Sequence, residues 1–132
     1  MVNCGDQIVY CLFLVLMGKS YVSLVYRVTA LIPQGRVTNY GAIADFLALG
    51  SARMVGWALN NCHGKGIPAH RVVNRKGELS GRLMFATPTL MQELLEQEGV
   101  VVEKDKVRDF KTLFWHPGDH LDQDDFDYDP DE

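Results

Sequence analysis

The pattern that most constrains this chain is a pair of short amphipathic helices separated by a brief interruption. Thr38 can cap a helix over about Asn39 to Leu47, in which Ile43, Phe46 and Leu47 recur at helical spacing. Ala48-Leu49-Gly50-Ser51 breaks that periodicity, with Gly50 as the permissive turn residue and Ser51 as the next cap. A second helix then runs about Ala52 to Asn61 and turns Val55, Ala58 and Leu59 toward a core. Helices this short are marginal alone and must pack on each other and on the rest of the chain. Two helices across a glycine-containing turn, with basic Arg53 near the start of the second, are helix-turn-helix organisation. Gly56 inside the second helix costs roughly 1 kcal/mol relative to alanine, so a close neighbour is expected there.

The segments that follow add little regular structure. A glycine-rich loop from Cys62 to Gly66 leads to Pro68-Ala69-His70-Arg71, and Val72-Val73 reads as a short buried strand. Asn74-Arg75-Lys76-Gly77 is a hairpin turn between that strand and Glu78 to Gly81. Thr87-Pro88 caps a helix carrying Leu90, Met91, Leu94 and Leu95, which Gly99 ends. Residues 100–114 return as extended structure or loop, and Phe110, Leu113, Phe114 and Trp115 are available to close the core. The expected fold is mainly α with a short β-hairpin, built as one winged-helix-like domain over residues 19–117.

Composition sets limits on function. With 47% apolar residues the chain can bury a core without disulfides, and its cysteines, Cys4, Cys11 and Cys62, have no paired or metal-binding spacing. Free thiols of a reducing cytoplasm are expected, with no metal and no cofactor. The net charge of -4 is unevenly spread: eight of seventeen acids fall between Asp119 and Glu132, and the remainder carries thirteen bases against nine acids. Between Pro33 and Arg82 only Asp45 and Glu78 oppose Arg36, Arg53, Lys65, Arg71, Arg75, Lys76 and Arg82. Such a surface suits a phosphate backbone, since neutralised phosphates supply the sequence-independent part of DNA affinity. Residues 118–132 form an acidic tail with too few apolar side chains to order itself. The apolar run Ile8 to Met17 is too short to span a membrane, and residues 1–18 read as an extension preceding the domain.

Five segments in the same order as a known family carry a resemblance. Ile67-Pro68-Ala69-His70-Arg71-Val72-Val73 is similar to the reactive-site signature of the O6-alkylguanine DNA alkyltransferases, in which a cysteine stands where this chain has Ala69. Ile32 to Ala44 resembles the segment opening that family's helix-turn-helix, and Ala52 to Leu59 its recognition helix. Asn74 to Leu79 and Leu94 to Val100 follow in the same order. The chain is therefore identified as resembling the alkyltransferase-like proteins, which keep the DNA-binding and base-flipping parts of the C-terminal transferase domain without its nucleophile.

The resemblance implies roles for particular residues. Arg53 is the finger that enters the base stack, and Tyr40 presses on the phosphate beside the rotated nucleotide. Thr38, Ala52, Gly56 and Arg71 are the further DNA contacts. Tyr40, Leu59, Pro68, Ala69, Val72, Leu79 and Arg82 form the lesion pocket, with Arg82 facing the extruded base, where its guanidinium can stack on a purine or donate to O6. His70 and Glu98, which generate the thiolate in the transferases, become a structural hydrogen bond. No residue is catalytic on this reading. The implied partner is double-stranded DNA containing O6-alkylguanine, bound by a monomeric, cytoplasmic and nucleoid-associated protein with no membrane contact, which flags damage for nucleotide excision repair. Two other readings stay open: a cysteine-to-alanine form of a methylated-DNA-protein-cysteine methyltransferase, and a sequence-specific helix-turn-helix regulator.

Overall fold

The computed structural model describes residues 21–62 and 65–126. The expected extension at residues 1–18 lies outside them. The chain forms α1 (Tyr21–Ala30), β1 (Thr38–Asn39), α2 (Tyr40–Phe46), α3 (Ala52–Asn60), β2 (Val72–Val73), α4 (Leu90–Gln97), β3 (Val102–Glu103), β4 (Lys106–Val107) and α5 (Phe110–Leu113), with short 3-10 turns between them. None of the described helices is long and apolar enough to cross a membrane.

Helix α1, which the sequence pattern did not single out, buries Leu24, Val25, Val28 and Thr29 on one face. It packs beside α3, where the Tyr26 hydroxyl donates to the Ala58 carbonyl at 3.0 Å. The helix-turn-helix is present with altered punctuation. Asn39, not Thr38, caps α2, its Oδ1 accepting from the Ala42 amide at 2.7 Å. Thr38 is instead fully buried in β1, and its Oγ1 has no hydrogen-bond partner among the described residues. The turn residue is Ala48 at φ 56°, not Gly50. Leu49 N–H then reaches the Ala44 carbonyl and Ala48 N–H the Asp45 carbonyl, the paired bonds of a Schellman ending. Ser51 takes the cap position of α3 without a side-chain cap bond. Likewise α4 begins after Thr89 rather than Thr87, and Gly99 at φ 87° follows its end as expected.

The fold is mainly helical with a short hairpin, but the hairpin is not where the turn chemistry suggested. Val72–Val73 pairs in parallel with Thr38–Asn39, in the register Thr38 to Val72 and Asn39 to Val73. Residues 74–78 do form a turn, closed by the Asn74 and Gly77 amides and by Asn74 Oδ1, which accepts from the Lys76 and Glu78 amides. The antiparallel hairpin is β3–β4, with Val102 opposite Val107.

Two apolar clusters result. One gathers α1, α2 and α3 around Ile43, Val55, Ala58 and Val72, and the other packs Leu79, Met91, Leu95, Val100 and Val107 beneath the hairpin. Phe85 touches both. Val37 joins the halves, bonding the Leu113 carbonyl and the Trp115 amide on one side while β1 pairs with β2 on the other.

The acidic segment departs from expectation over residues 118–126. Phe126 is buried edge-on against Phe46 with centroids 5.4 Å apart, and the Arg27 guanidinium lies 4.8 Å over its ring. Gln123 donates to the Phe46 carbonyl and Arg27 to the Asp125 carbonyl. One aromatic side chain supplies the apolar area that the acidic average concealed.

Candidate nucleic-acid interface

The β1–β2 pairing brings the functional segments together, because Tyr40 follows β1 directly and the 3-10 turn Ala69–Arg71 runs directly into β2. Tyr40, Leu59 and Ala69 line one cavity together with Asn60, Gly81, Met84, Phe85 and Met91. Its volume is about 10 Å³, room for one water and far less than a purine. Ala69 is buried there with only a methyl group.

Tyr40 is half-buried, its ring beside Gly56 and its hydroxyl against Gly81. A Cβ on Gly81 would come within 2.9 Å of that hydroxyl, so the glycine leaves space for it. A Cβ on Gly56 would meet the Tyr40 ring at an ordinary 3.9 Å, so Gly56 touches the tyrosine without being required by it. Burial pushes the Tyr40 hydroxyl above its usual pKa against an opposing hydrogen bond with Ser80, so it keeps its proton at neutral pH. Burial also raises the Cys62 thiol and disfavours its thiolate.

Other expected pocket residues stand apart. Val72 and Leu79 are fully buried core, and Pro68 caps the 3-10 turn. Arg82 does not line the cavity; its Nη1 donates to the Leu79 carbonyl at 3.2 Å, and its Nε lies 3.8 Å from Asp105 Oδ2. The residues missed by sequence reasoning, above all Met84 and Phe85, belong to an aperiodic apolar run Leu83-Met84-Phe85 whose first two members are exposed. That run of large apolar residues after a turn was the available signal.

The DNA-contact set divides similarly. Arg53 is exposed in the first turn of α3, with no ion pair among the described residues. Exposed Ala52 and Gly41 and half-buried Tyr40 line an open groove of about 440 Å³ together with Asn74, Arg75, Lys76 and Glu78. Thr38 is sealed in the core and cannot reach a phosphate from that position. Arg71 is turned inward: Nε and Nη2 donate to Glu98, and Nη1 donates to the Ile32 carbonyl at 2.8 Å. A guanidinium satisfied in this way is a structural clamp, not a phosphate hand.

Glu98 is the other half of that clamp. Its carboxylate also accepts from Gly35 N–H at 3.0 Å and lies 2.6 Å from His70 Nε2. An ionised carboxylate only accepts, so His70 Nε2 carries the proton. Burial acts to raise the Glu98 pKa, but the hydrogen bonds from Arg71, Gly35 and His70 overcome it and hold the value at about 2. The expected His70–Glu98 bond is thus present, within a larger network that ties α4 to the loops at Ile32–Gly35 and Ala69–Arg71.

Comparison with known proteins bears on this arrangement. Residues 20–100 match the family described as 6-O-methylguanine DNA methyltransferase, DNA binding domain. The chain is 34% identical over 99 residues to Alkyltransferase-like protein 1 of Schizosaccharomyces pombe, covering 70% of this chain and 92% of that protein. It is 35% identical over 101 residues to the DNA base-flipping protein of Escherichia coli K12, covering 74% and 75%. Among solved structures, S. pombe Atl1 in complex with damaged DNA containing O6-carboxymethylguanine superposes with a TM-score of 0.66 at 31% identity, covering 74% of this chain and 95% of that one. With the helix-turn-helix and the Pro68-Ala69-His70-Arg71 turn in place, this chain belongs to the 6-O-methylguanine DNA methyltransferase DNA-binding family, among its alkyltransferase-like members.

Proposed function

We propose that this chain recognises O6-alkylguanine in duplex DNA by placing α3 in the minor groove, rotating the damaged nucleotide out and receiving it beside Ala69, without transferring the alkyl group. The observation that carries this reading is Ala69 itself: it lines the cavity with Tyr40 and Leu59, offers no nucleophilic atom, and stands where the resemblance puts the family's reactive cysteine. Arg53 fills the space left in the stack, since an extruded base leaves a gap that must be occupied. The basic groove beside Tyr40 holds backbone phosphates, and Arg82 meets the extruded base. The cavity must widen on the Met84–Phe85 side to admit a purine, because about 10 Å³ cannot. The protein acts as a monomer and leaves a shielded lesion for nucleotide excision repair.

The test is a titration of matched duplexes carrying guanine or O6-methylguanine, followed by intact-protein mass spectrometry. Tighter binding to the lesion with no mass increase is expected. A methyl adduct on Cys62, or equal affinity for the two duplexes, would overturn the reading.

A further inference from the structure

The tip of the β3–β4 hairpin holds a carboxylate beside Arg82. Lys104 and Asp105 both lie in the left-handed region, at φ 52° and 60°, and turn the chain sharply between the strands. The tip is fastened to the segment leading to Arg82. The Asp105 carbonyl accepts from Leu79 N–H at 2.8 Å, Val107 N–H donates to the Gly77 carbonyl at 2.8 Å, and Glu78 forms an antiparallel backbone bridge with Lys106. The backbone therefore sets where the Asp105 side chain stands. Its Oδ2 lies 3.8 Å from Arg82 Nε, while Arg82 Nη1 is held by the Leu79 carbonyl. Lys104 and Lys106 flank it, and among the described residues Asp105 is the carboxylate paired with Arg82. In this arrangement Arg82 is absent from the cavity lining, although its neighbours Gly81 and Met84 are part of it.

An arginine that stacks over an extruded purine, or donates to its O6, must first leave those partners. We propose that Asp105 is a selectivity-setting residue, which holds the Arg82 guanidinium off the pocket in the free protein and competes with the flipped base for it. The proposal rests on the reading of Arg82 as the residue that meets that base. The pair is open to solvent, with side-chain exposures of 37% and 53%, so its hold is weak and screened by salt. A weak hold fits the task. It is easily outweighed by a stacked base, and its cost falls only on complexes in which the base draws Arg82 away from Asp105.

The test titrates duplexes containing guanine or O6-methylguanine with wild type, Asp105→Asn, Arg82→Ala and the double variant, with Asp109→Asn as a control of equal charge change. Asp105→Asn should raise the ratio of lesion to undamaged affinity about three-fold at low salt, less at high salt, and not at all in the Arg82→Ala background. An equal gain on both duplexes, as Asp109→Asn gives, would mean general charge attraction and would overturn the proposal. So would a gain that survives Arg82→Ala. If Arg82→Ala removes the lesion preference while Asp105→Asn changes nothing, only the role of Asp105 fails. If Arg82→Ala leaves the preference intact, the base-facing role of Arg82 fails and this proposal with it.

Discussion

Glu98 gathers the Gly35 amide, His70 and Arg71 around one carboxylate, and its charge is the part of the site that acid can switch off. Its folded pKa of about 2 lies below the ordinary value of 4.5, so its stabilisation is complete above about pH 4.5 and is lost as pH falls through about 2. The shift corresponds to roughly 3 kcal/mol at one pKa unit per 1.36 kcal/mol. Glu98→Gln should lose about that much stability at neutral pH, and its deficit relative to wild type should shrink between pH 5 and 2. Urea unfolding across that range checks it; parallel pH profiles would refute the assignment. Arg53 gives the corresponding test for DNA. Being exposed and unconstrained, it can be replaced by alanine with little effect on folding, yet Arg53→Ala should weaken lesion binding by about 2–3 kcal/mol, the scale of the unstacking it offsets. A fluorescent base analogue beside the lesion should report reduced extrusion, and unchanged extrusion would remove Arg53 from the finger position.

At the scale of elements, the turn between α2 and α3 carries avoidable strain. Ala48 occupies the left-handed position of a Schellman ending while exposed to solvent, so Ala48→Gly should relieve backbone strain without losing packing. A gain of about 1 kcal/mol is expected from the left-handed cost to a residue with a Cβ, read as a raised melting temperature. The two helices themselves were legible because Ile43, Phe46, Val55, Ala58 and Leu59 follow a local period that burial enforces. Their punctuation was not, since Thr38 and Asn39 are both cap formers and only the pairing of Thr38 with Val72 decides between them. That pairing is parallel and distant, and no local pattern announces it. The same holds for the pocket. Tyr40, Leu59 and Ala69 could be named from motifs, whereas Gly81, Phe85 and Met91 join them only because the chain folds back. Helix α1 was obscured by its β-branched valines, which favour strand locally and became helical through packing on α3.

On the scale of the molecule, the acidic C-terminal region contributes packing as well as charge. Its described part is a folded strap whose Phe126 sits between Phe46 and Arg27, so Phe126→Ala should cost about 2–4 kcal/mol. Ending the chain after Phe126 removes Asp127, Asp129, Asp131 and Glu132 and spares that packing. This truncation should tighten binding to undamaged DNA at low salt, with little change at high salt. Fluorescence anisotropy at two salt concentrations distinguishes this from equal affinities, which would make those four acids neutral toward DNA. The parallel pairing of Thr38 with Val72 has a kinetic consequence. It closes a loop of roughly thirty residues that contains the whole helix-turn-helix, and contacts so distant in sequence form slowly. During refolding the helices can therefore assemble before Tyr40 and Ala69 meet, so helical circular dichroism should recover ahead of competence to bind a lesion.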